Sequence, residues 1–271
     1  MTRIAVFQMT SGIDPEANAD AICAAANRAQ DEGASMLFTP EMAVLLDRDR
    51  ARAAGKIVPE EESTAVARVA DAARTTGLWI SLGLPVALTD GRWGNRTVLI
   101  GPSGQVEARY DKIHMFDVDL ATGESWRESN AYVPGDKVVV AEDTPIGRLG
   151  LTTCYDIRFP ALFEELGRRH CDAIAIPAAF TVPTGKAHWH LMQRARAVEA
   201  SAFVIAAAQV GQHEDGRQTY GHSLVVDPWG EVLLDMGDQG PGVGFADINL
   251  ARIAEVRAQV PSLANRRQIA K

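Results

Sequence analysis

Three side chains whose types allow covalent chemistry stand where strand-like runs of the sequence stop. The segment LGLTTCYDIRFPALFEELGRRH passes from an apolar run through Cys154 into a helix-like stretch beginning near Pro160, so the thiol falls at a strand end. There the unpaired backbone N–H groups of the following turn favour a thiolate and can hold a developing oxyanion. Met36 to Thr39 is another apolar run, and it opens into Pro40 and Glu41, placing a carboxylate at a second strand end. Lys112, in Tyr110-Asp111-Lys112-Ile113-His114, follows a hairpin strand. Each residue alone has a plainer reading: a buried small hydrophobe, a turn acid and a solvated lysine.

Positioning them requires an alternating framework. Short runs rich in β-branched residues and bounded by turn signals predict strands at Ile4 to Gln8, Met36 to Thr39, Trp79 to Leu84 and Thr97 to Ile100. Helices are expected at Asp14 to Gln30, alanine-rich with a Pro-Glu start, and at Ser63 to Arg74 with Ser63 as N-cap. The same order returns as strands at Leu149 to Thr153, Ala173 to Pro177 and Phe203 to Ala208, separated by helices at Ala161 to Arg169 and Lys186 to Ala200. Each half ends in hairpin text around a Pro-x-Gly turn, TVLIGPSGQVEARY and SLVVDPWGEVLLDM. Two such halves, each with helices on one sheet face and the other faces pressed together, give an α/β fold. It is a four-layer α-β-β-α sandwich with an internal pseudo-two-fold repeat of βαβαβ plus hairpin. No linker rich in Pro, Gly or Ser divides them, so one domain over residues 1–271 is expected.

Together TPE (Glu41), YDKIHMFDVD (Lys112) and TTCYDIRFP (Cys154) resemble the signature of the nitrilase superfamily of carbon-nitrogen hydrolases: a Glu, a Lys and a Cys in that order. The resemblance covers essentially the whole chain, including PAAFTVPTGKAHWHLMQRARAVEA and YGHSLVVDPWGEV. It implies the same sandwich and a homodimer. It also implies that Glu41 acts as general base toward Cys154, which attacks an amide carbonyl and forms a thioester. Lys112 and a backbone N–H near Tyr155 would hold the oxyanion, and Glu41 would then activate the water that releases the acid. No metal or cofactor is required. Glu128, in GESWRESN, matches a further family glutamate and would orient Lys112 or the water; a loop acid among other charges is its plainer reading.

Within the superfamily these motifs most resemble the branch containing deaminated glutathione amidase and omega-amidase. AAFTVPTGKAHW, AAAQVGQH and YGHSLVVDPWG lean toward the first, which implies cleavage of deaminated glutathione to 2-oxoglutarate and cysteinylglycine; the alternative is ammonia release from 2-oxoglutaramate. Both substrates carry carboxylates and call for a bidentate cation. Arg158, four residues past Cys154, takes that role by resemblance, with Phe180 and Thr184 in matching pocket positions. Two departures stand out: MAVLLDRDRARAAGK after Glu41 lacks the usual aromatic and amide residues, and Asp111 replaces a basic residue beside Lys112. The first falls in a pocket-rim loop and bears on substrate identity.

Composition narrows the remaining classes. A net charge of −8 argues against a broad nucleic-acid surface. No run approaches the roughly 20 apolar residues of a membrane span, and MTRIAVFQMT does not read as a signal peptide, so a cytoplasmic location is the default. Cys23, Cys154 and Cys171 form neither a disulfide framework nor a metal clamp. His188 and His190, two apart on a helix, point to different faces, and Gly221-His222-Ser223 lacks the serine-hydrolase elbow. A nitrilase proper, an N-carbamoyl amino-acid hydrolase and a non-catalytic binding protein of the same fold stay as rivals.

Overall fold

The computed structural model describes residues 1–121 and 123–267. The first half runs β1 (Thr2–Gln8), α1 (Pro15–Asp31), β2 (Met36–Phe38), α2 (Arg50–Ala54), α3 (Thr64–Thr76), β3 (Trp79–Ala87), β4 (Trp93–Ile100) and β5 (Val106–Asp111). A ribbon of β6 (Asp117–Asp119) and β7 (Ser125–Arg127) follows. The second half holds β8 (Val139–Thr144), β9 (Gly147–Leu151), α4 (Pro160–Arg168), β10 (Ala173–Ala175), α5 (Val182–Ala200) and β11 (Phe203–Ala206). It continues with a second ribbon, β12 (Val210–Gln212) and β13 (Gln218–Tyr220), then β14 (Leu224–Val226), β15 (Val232–Asp235), β16 (Gly242–Ile248), α6 (Ala251–Gln259) and α7 (Ser262–Asn265).

The two large sheets repeat one pattern. Their orders are β16-β1-β2-β3-β4-β5 and β8-β9-β10-β11-β14-β15. In each, three parallel strands carry antiparallel neighbours on both sides. The registers correspond as well, Ile4 pairing with Met36 as Leu149 pairs with Ala173. The pseudo-two-fold repeat read from the sequence is thus the architecture.

Side-chain alternation along the strands separates the layers. Ile4, Val6, Met36 and Phe38 face Ala173, Ala175, Phe203 and Ile205 in the core between the sheets. Their neighbours Ala5, Phe7 and Leu37 turn outward onto Ile22, Ala26, Val66 and Val69 of α1 and α3. On the other side Ile174, Val204 and Ala206 meet Leu162, Phe163, Leu166, Trp189 and Ala197 of α4 and α5. The result is the four-layer α-β-β-α sandwich.

Helix boundaries follow local chemistry. Asp14 caps α1 by accepting from the Glu16 amide at 3.0 Å, Ser63 caps α3 through the Val66 amide at 3.3 Å, and Gly77 ends α3 in the left-handed region. α5 starts four residues before the expected Lys186, because Pro183 suits a first helical turn and was no barrier there. The segment after Cys154 is a separate 3₁₀ turn, Cys154–Arg158, so Arg158 closes that turn and does not open α4.

Candidate active site

Glu41, Lys112 and Cys154, far apart in sequence, meet where β2, β5 and β9 end. Beyond β2, the Thr39 hydroxyl donates to the Ser81 carbonyl at 3.0 Å and holds the exit against β3. Gly83 of β3 then lets the chain lie flat, since a Cβ there would collide with the Pro40 carbonyl oxygen and crowd the Glu41 Cα. The Gln209 amide donates to the Glu41 carbonyl oxygen at 3.0 Å. Lys112 leaves β5 with its amide on the Asn95 carbonyl, 2.9 Å away, and Gly135 donates to its carbonyl at 2.8 Å. The unexpected Asp111 has a structural partner: Arg96 grips it at 2.8 and 2.9 Å and also reaches Glu60 at 3.0 Å.

Cys154 sits in the left-handed region at φ 49°, a conformation that costs a non-glycine residue energy and recurs at functional turns. Asp156 secures it. This fully buried carboxylate accepts from the Thr153 amide at 2.9 Å, the Tyr110 hydroxyl at 2.6 Å and the His114 amide at 3.0 Å, and its Oδ1 lies 2.7 Å from His114 Nδ1. The nucleophile turn of one sheet is thereby tied to the lysine segment of the other.

At the centre, Lys112 Nζ donates to Glu41 Oε1 at 2.9 Å and to Glu128 Oε2 at 2.8 Å. The Asn95 side-chain amide spans the same two carboxylates at 2.8 and 2.9 Å. The Ala179 amide donates to Glu41 Oε2 at 2.8 Å, and the Cys154 thiol is within electrostatic reach of that carboxylate. Burial works against the Glu41 charge, but the Lys112 ammonium and these hydrogen bonds hold its carboxyl below the ordinary carboxylate value. Burial likewise opposes the Lys112 charge, and Glu128 and Glu41 override it, holding the ammonium well above its ordinary value. Burial and the Glu41 charge push the Cys154 thiol well up. The resting cluster is therefore ammonium, carboxylate and neutral thiol, an arrangement that leaves Glu41 able to accept the thiol proton.

The cluster opens into a cavity of about 740 Å³. Tyr155, Phe180 and Thr184 line it with Glu41, Lys112, Glu128 and Cys154, and Met42, Leu46 and residues 47–50 form part of its rim. Thr184 lies within the first turn of α5, its hydroxyl 2.8 Å from that of Thr181. Arg158 does not line the cavity. Its guanidinium lies 3.3 Å from His188 Nδ1 and over the Phe180 and Tyr155 rings of the cavity wall, 5.5 and 5.9 Å from their centroids. The cavity arginines are Arg48, Arg50, Arg127 and Arg217.

The sequence reading missed Asn95, Asp156 and the Ala179 amide. Asn95 and Thr97 are polar at alternate positions of an otherwise apolar strand, and Thr153-Cys-Tyr-Asp156 has capping-box spacing; both were available signals. His188 and His190 do face apart, His188 toward Arg158 and His190 onto Asp235, whose carboxylate also lies 2.9 Å from His222 Nδ1.

Sandwich and buried cluster together describe a hydrolase of non-peptide C–N bonds. The carbon-nitrogen hydrolase family matches residues 3–258, and the chain belongs to that family, within the nitrilase superfamily. The deaminated glutathione amidase of Synechocystis is 38% identical over 97% of this chain and 97% of its own length. The crystal structure of the Caenorhabditis elegans NitFhit protein superposes with a TM-score of 0.90 at 35% identity, over 98% of this chain and 65% of that one. An amidase from Nesterenkonia sp. AN1 superposes at 0.80 with 27% identity, over 96% of this chain and 98% of that one. In that structure acrylamide has undergone Michael addition at the active-site cysteine. The chain is an amidase of this family, similar along nearly its whole length to proteins named deaminated glutathione amidase. Among the described residues no helix is long and apolar enough to cross a membrane.

Proposed function

We propose that this amidase cleaves deaminated glutathione to 2-oxoglutarate and cysteinylglycine through a thioester on Cys154. One observation carries the mechanism: the Glu41 carboxylate is fixed by Lys112 and Ala179 in the same buried cluster as the Cys154 thiol, whose ionisation its charge opposes. Cys154 Sγ bonds to the amide carbon as its proton passes to Glu41, and the tetrahedral oxyanion rests on the Lys112 ammonium and the Tyr155 amide, one of the N–H groups a helix start leaves unpaired. Collapse breaks the C–N bond, and Glu41 returns the proton to the departing amine. Glu41 then takes a proton from water, which adds to the thioester and expels the Cys154 sulfur, and Glu41 passes that proton to the sulfur to restore the thiol. Glu128 keeps Lys112 oriented throughout.

The names of the relatives support the substrate, as does a cavity roomy enough for an extended peptide-like amide. The proposal includes a single cytoplasmic domain that forms a homodimer. Exposed Val198 on α5 lies beside the turn of the hairpin carrying Trp229, Val232 and Leu233, exposed apolar residues of the kind subunits cover.

The test offers deaminated glutathione, 2-oxoglutaramate, an N-carbamoyl amino acid and a nitrile to the enzyme, with product analysis and intact-mass spectrometry. Deaminated glutathione should turn over fastest and leave a transient acyl adduct on Cys154 that Cys154→Ala cannot form. Preferential ammonia release from 2-oxoglutaramate would replace the substrate, and turnover of the nitrile alone would overturn the proposal. Light scattering should give twice the chain mass.

A further inference from the structure

We infer that His190, His222 and Asp235 form a binding site for one divalent transition-metal ion of the zinc class, outside the catalytic cavity. None of the three residues lines that cavity, so the inference stands apart from the choice of amide substrate.

The ligands come from three elements. His190 lies in α5, His222 in the link between β13 and β14, and Asp235 at the end of β15. His190 Nε2 lies 2.9 Å from Asp235 Oδ2, His222 Nδ1 lies 2.9 Å from Oδ1, and the donor atoms all fall within 4.8 Å of one another. A tetrahedral ion bonded at about 2.0–2.1 Å sets its ligand atoms about 3.3 Å apart, inside that spread. Two imidazole nitrogens and a carboxylate oxygen suit zinc and its first-row neighbours, whereas magnesium and calcium ask for oxygen alone. The companion of His190 is thus a histidine from another element, while His188 faces Arg158.

The backbone holds this arrangement ready. His222 adopts φ 54°, a left-handed conformation that costs a non-glycine residue energy, and two hydrogen bonds keep it there. Its amide donates to the Gly237 carbonyl at 2.8 Å, and its own carbonyl accepts from the indole of Trp189, next to His190, at 2.7 Å. The Gly237 amide in turn donates to Asp235 Oδ1 at 2.9 Å, orienting the carboxylate as outer partners orient metal ligands. The Tyr220 ring stacks on His222 with centroids 4.5 Å apart and covers one side. The side chains of His190, His222 and Asp235 keep 38, 21 and 34% of their exposure, so an ion can enter and complete its shell with water. Among the described residues no lysine or arginine pairs with Asp235, which leaves its charge for the ion. Coordination asks only that each ring carry its proton on the other nitrogen, His190 Nδ1 and His222 Nε2.

Such an ion would join α5 to β15, so binding should stabilise the native chain. The experiment uses tag-free, chelator-stripped protein carrying Cys154→Ser, which removes the cavity thiol as a competing ligand. Zinc chloride is titrated by calorimetry and cobalt chloride by visible absorption. One equivalent of zinc should bind in the micromolar range or tighter and raise Tm, and cobalt should give d–d bands without a sulfur charge-transfer band. His190→Gln, Asp235→Asn and His222→Asn, the last because asparagine accepts a left-handed backbone, should each weaken zinc binding about a hundredfold and abolish the Tm rise. His188→Gln should leave both unchanged. Undetectable zinc binding, or binding that survives in the three variants, would overturn the site and reduce the triad to a hydrogen-bonded cluster. So would a sulfur band with cobalt, or a loss in His188→Gln equal to that in His190→Gln. Should one variant not fold, the other two decide.

Discussion

Replacing Lys112 by Met keeps most of a buried stem and deletes its charge. In the native protein Nζ lies 2.9 Å from Glu41 Oε1 and 2.8 Å from Glu128 Oε2, and the Asn95 amide already serves both carboxylates. The variant would leave two buried carboxylates facing each other with that one amide between them. Removing one partner of a buried ion pair costs about 3–5 kcal/mol, a large share of the about 5–15 kcal/mol by which such domains are stable. Urea unfolding at pH 7.5 should show that deficit. The sign with pH follows from Glu41. Held below its unfolded-state value in the native enzyme, it contributes stability above that value and loses it as pH falls through the folded one. In Lys112→Met the same carboxyl, buried beside a second negative charge, is pushed above its unfolded-state value and loses stability as pH rises. The gap between the two proteins should therefore narrow between pH 7.5 and about pH 5, and Lys112→Met with Glu128→Gln should recover part of the loss. A deficit below about 1 kcal/mol, or one equal at both pH values, would refute the account of the cluster as mutually neutralising charges.

Because Glu41 is held low and the Cys154 thiol high, kcat/KM should lose activity only below about pH 5 and stay level through neutrality; an acid limb near pH 7 in the rate profile would identify another base. Gly83→Ala should displace Pro40 and Glu41, lowering kcat about a hundredfold and stability by about 1–3 kcal/mol, as read by steady-state kinetics and urea melts. Asp156→Asn exchanges one acceptor oxygen for a donor amid three N–H and O–H donors. It should cost about 2 kcal/mol in unfolding free energy and slow alkylation of Cys154 by an amide-bearing electrophile, measured by intact mass; unchanged stability would count against its tethering role.

The fold was legible because its physics is local and repeated. Short β-branched runs, capped alanine-rich helices and two Pro-x-Gly hairpins each declare themselves within a dozen residues, and their recurrence implied the paired sheets. The buried cluster was legible through Glu41, Lys112 and Cys154, each standing where an apolar run breaks. What stayed hidden was contact between segments remote in the chain. Asn95 reaches Glu41 and Glu128 from the middle of a strand, and Asp215 reaches Arg48 across 167 residues. The placement of Arg158 depended on whether the turn after Cys154 merged into α4 or closed as its own 3₁₀ segment.

The repeated registers have a further consequence for where this molecule is joined and where it is open. With Ile4 opposite Met36 and Leu149 opposite Ala173, five residues further along each strand Met9 is the counterpart of Cys154 and Ala178 of Glu41. At the Met9 locus the backbone is stitched across the sandwich, Met9 donating to the Ala208 carbonyl and accepting from the Val210 amide at 2.7 Å. The two copies of one motif have thus divided their labour: one is sewn shut and anchors the sheets, while the other parts at the same place into a strained turn that sets a buried thiol at the cavity wall.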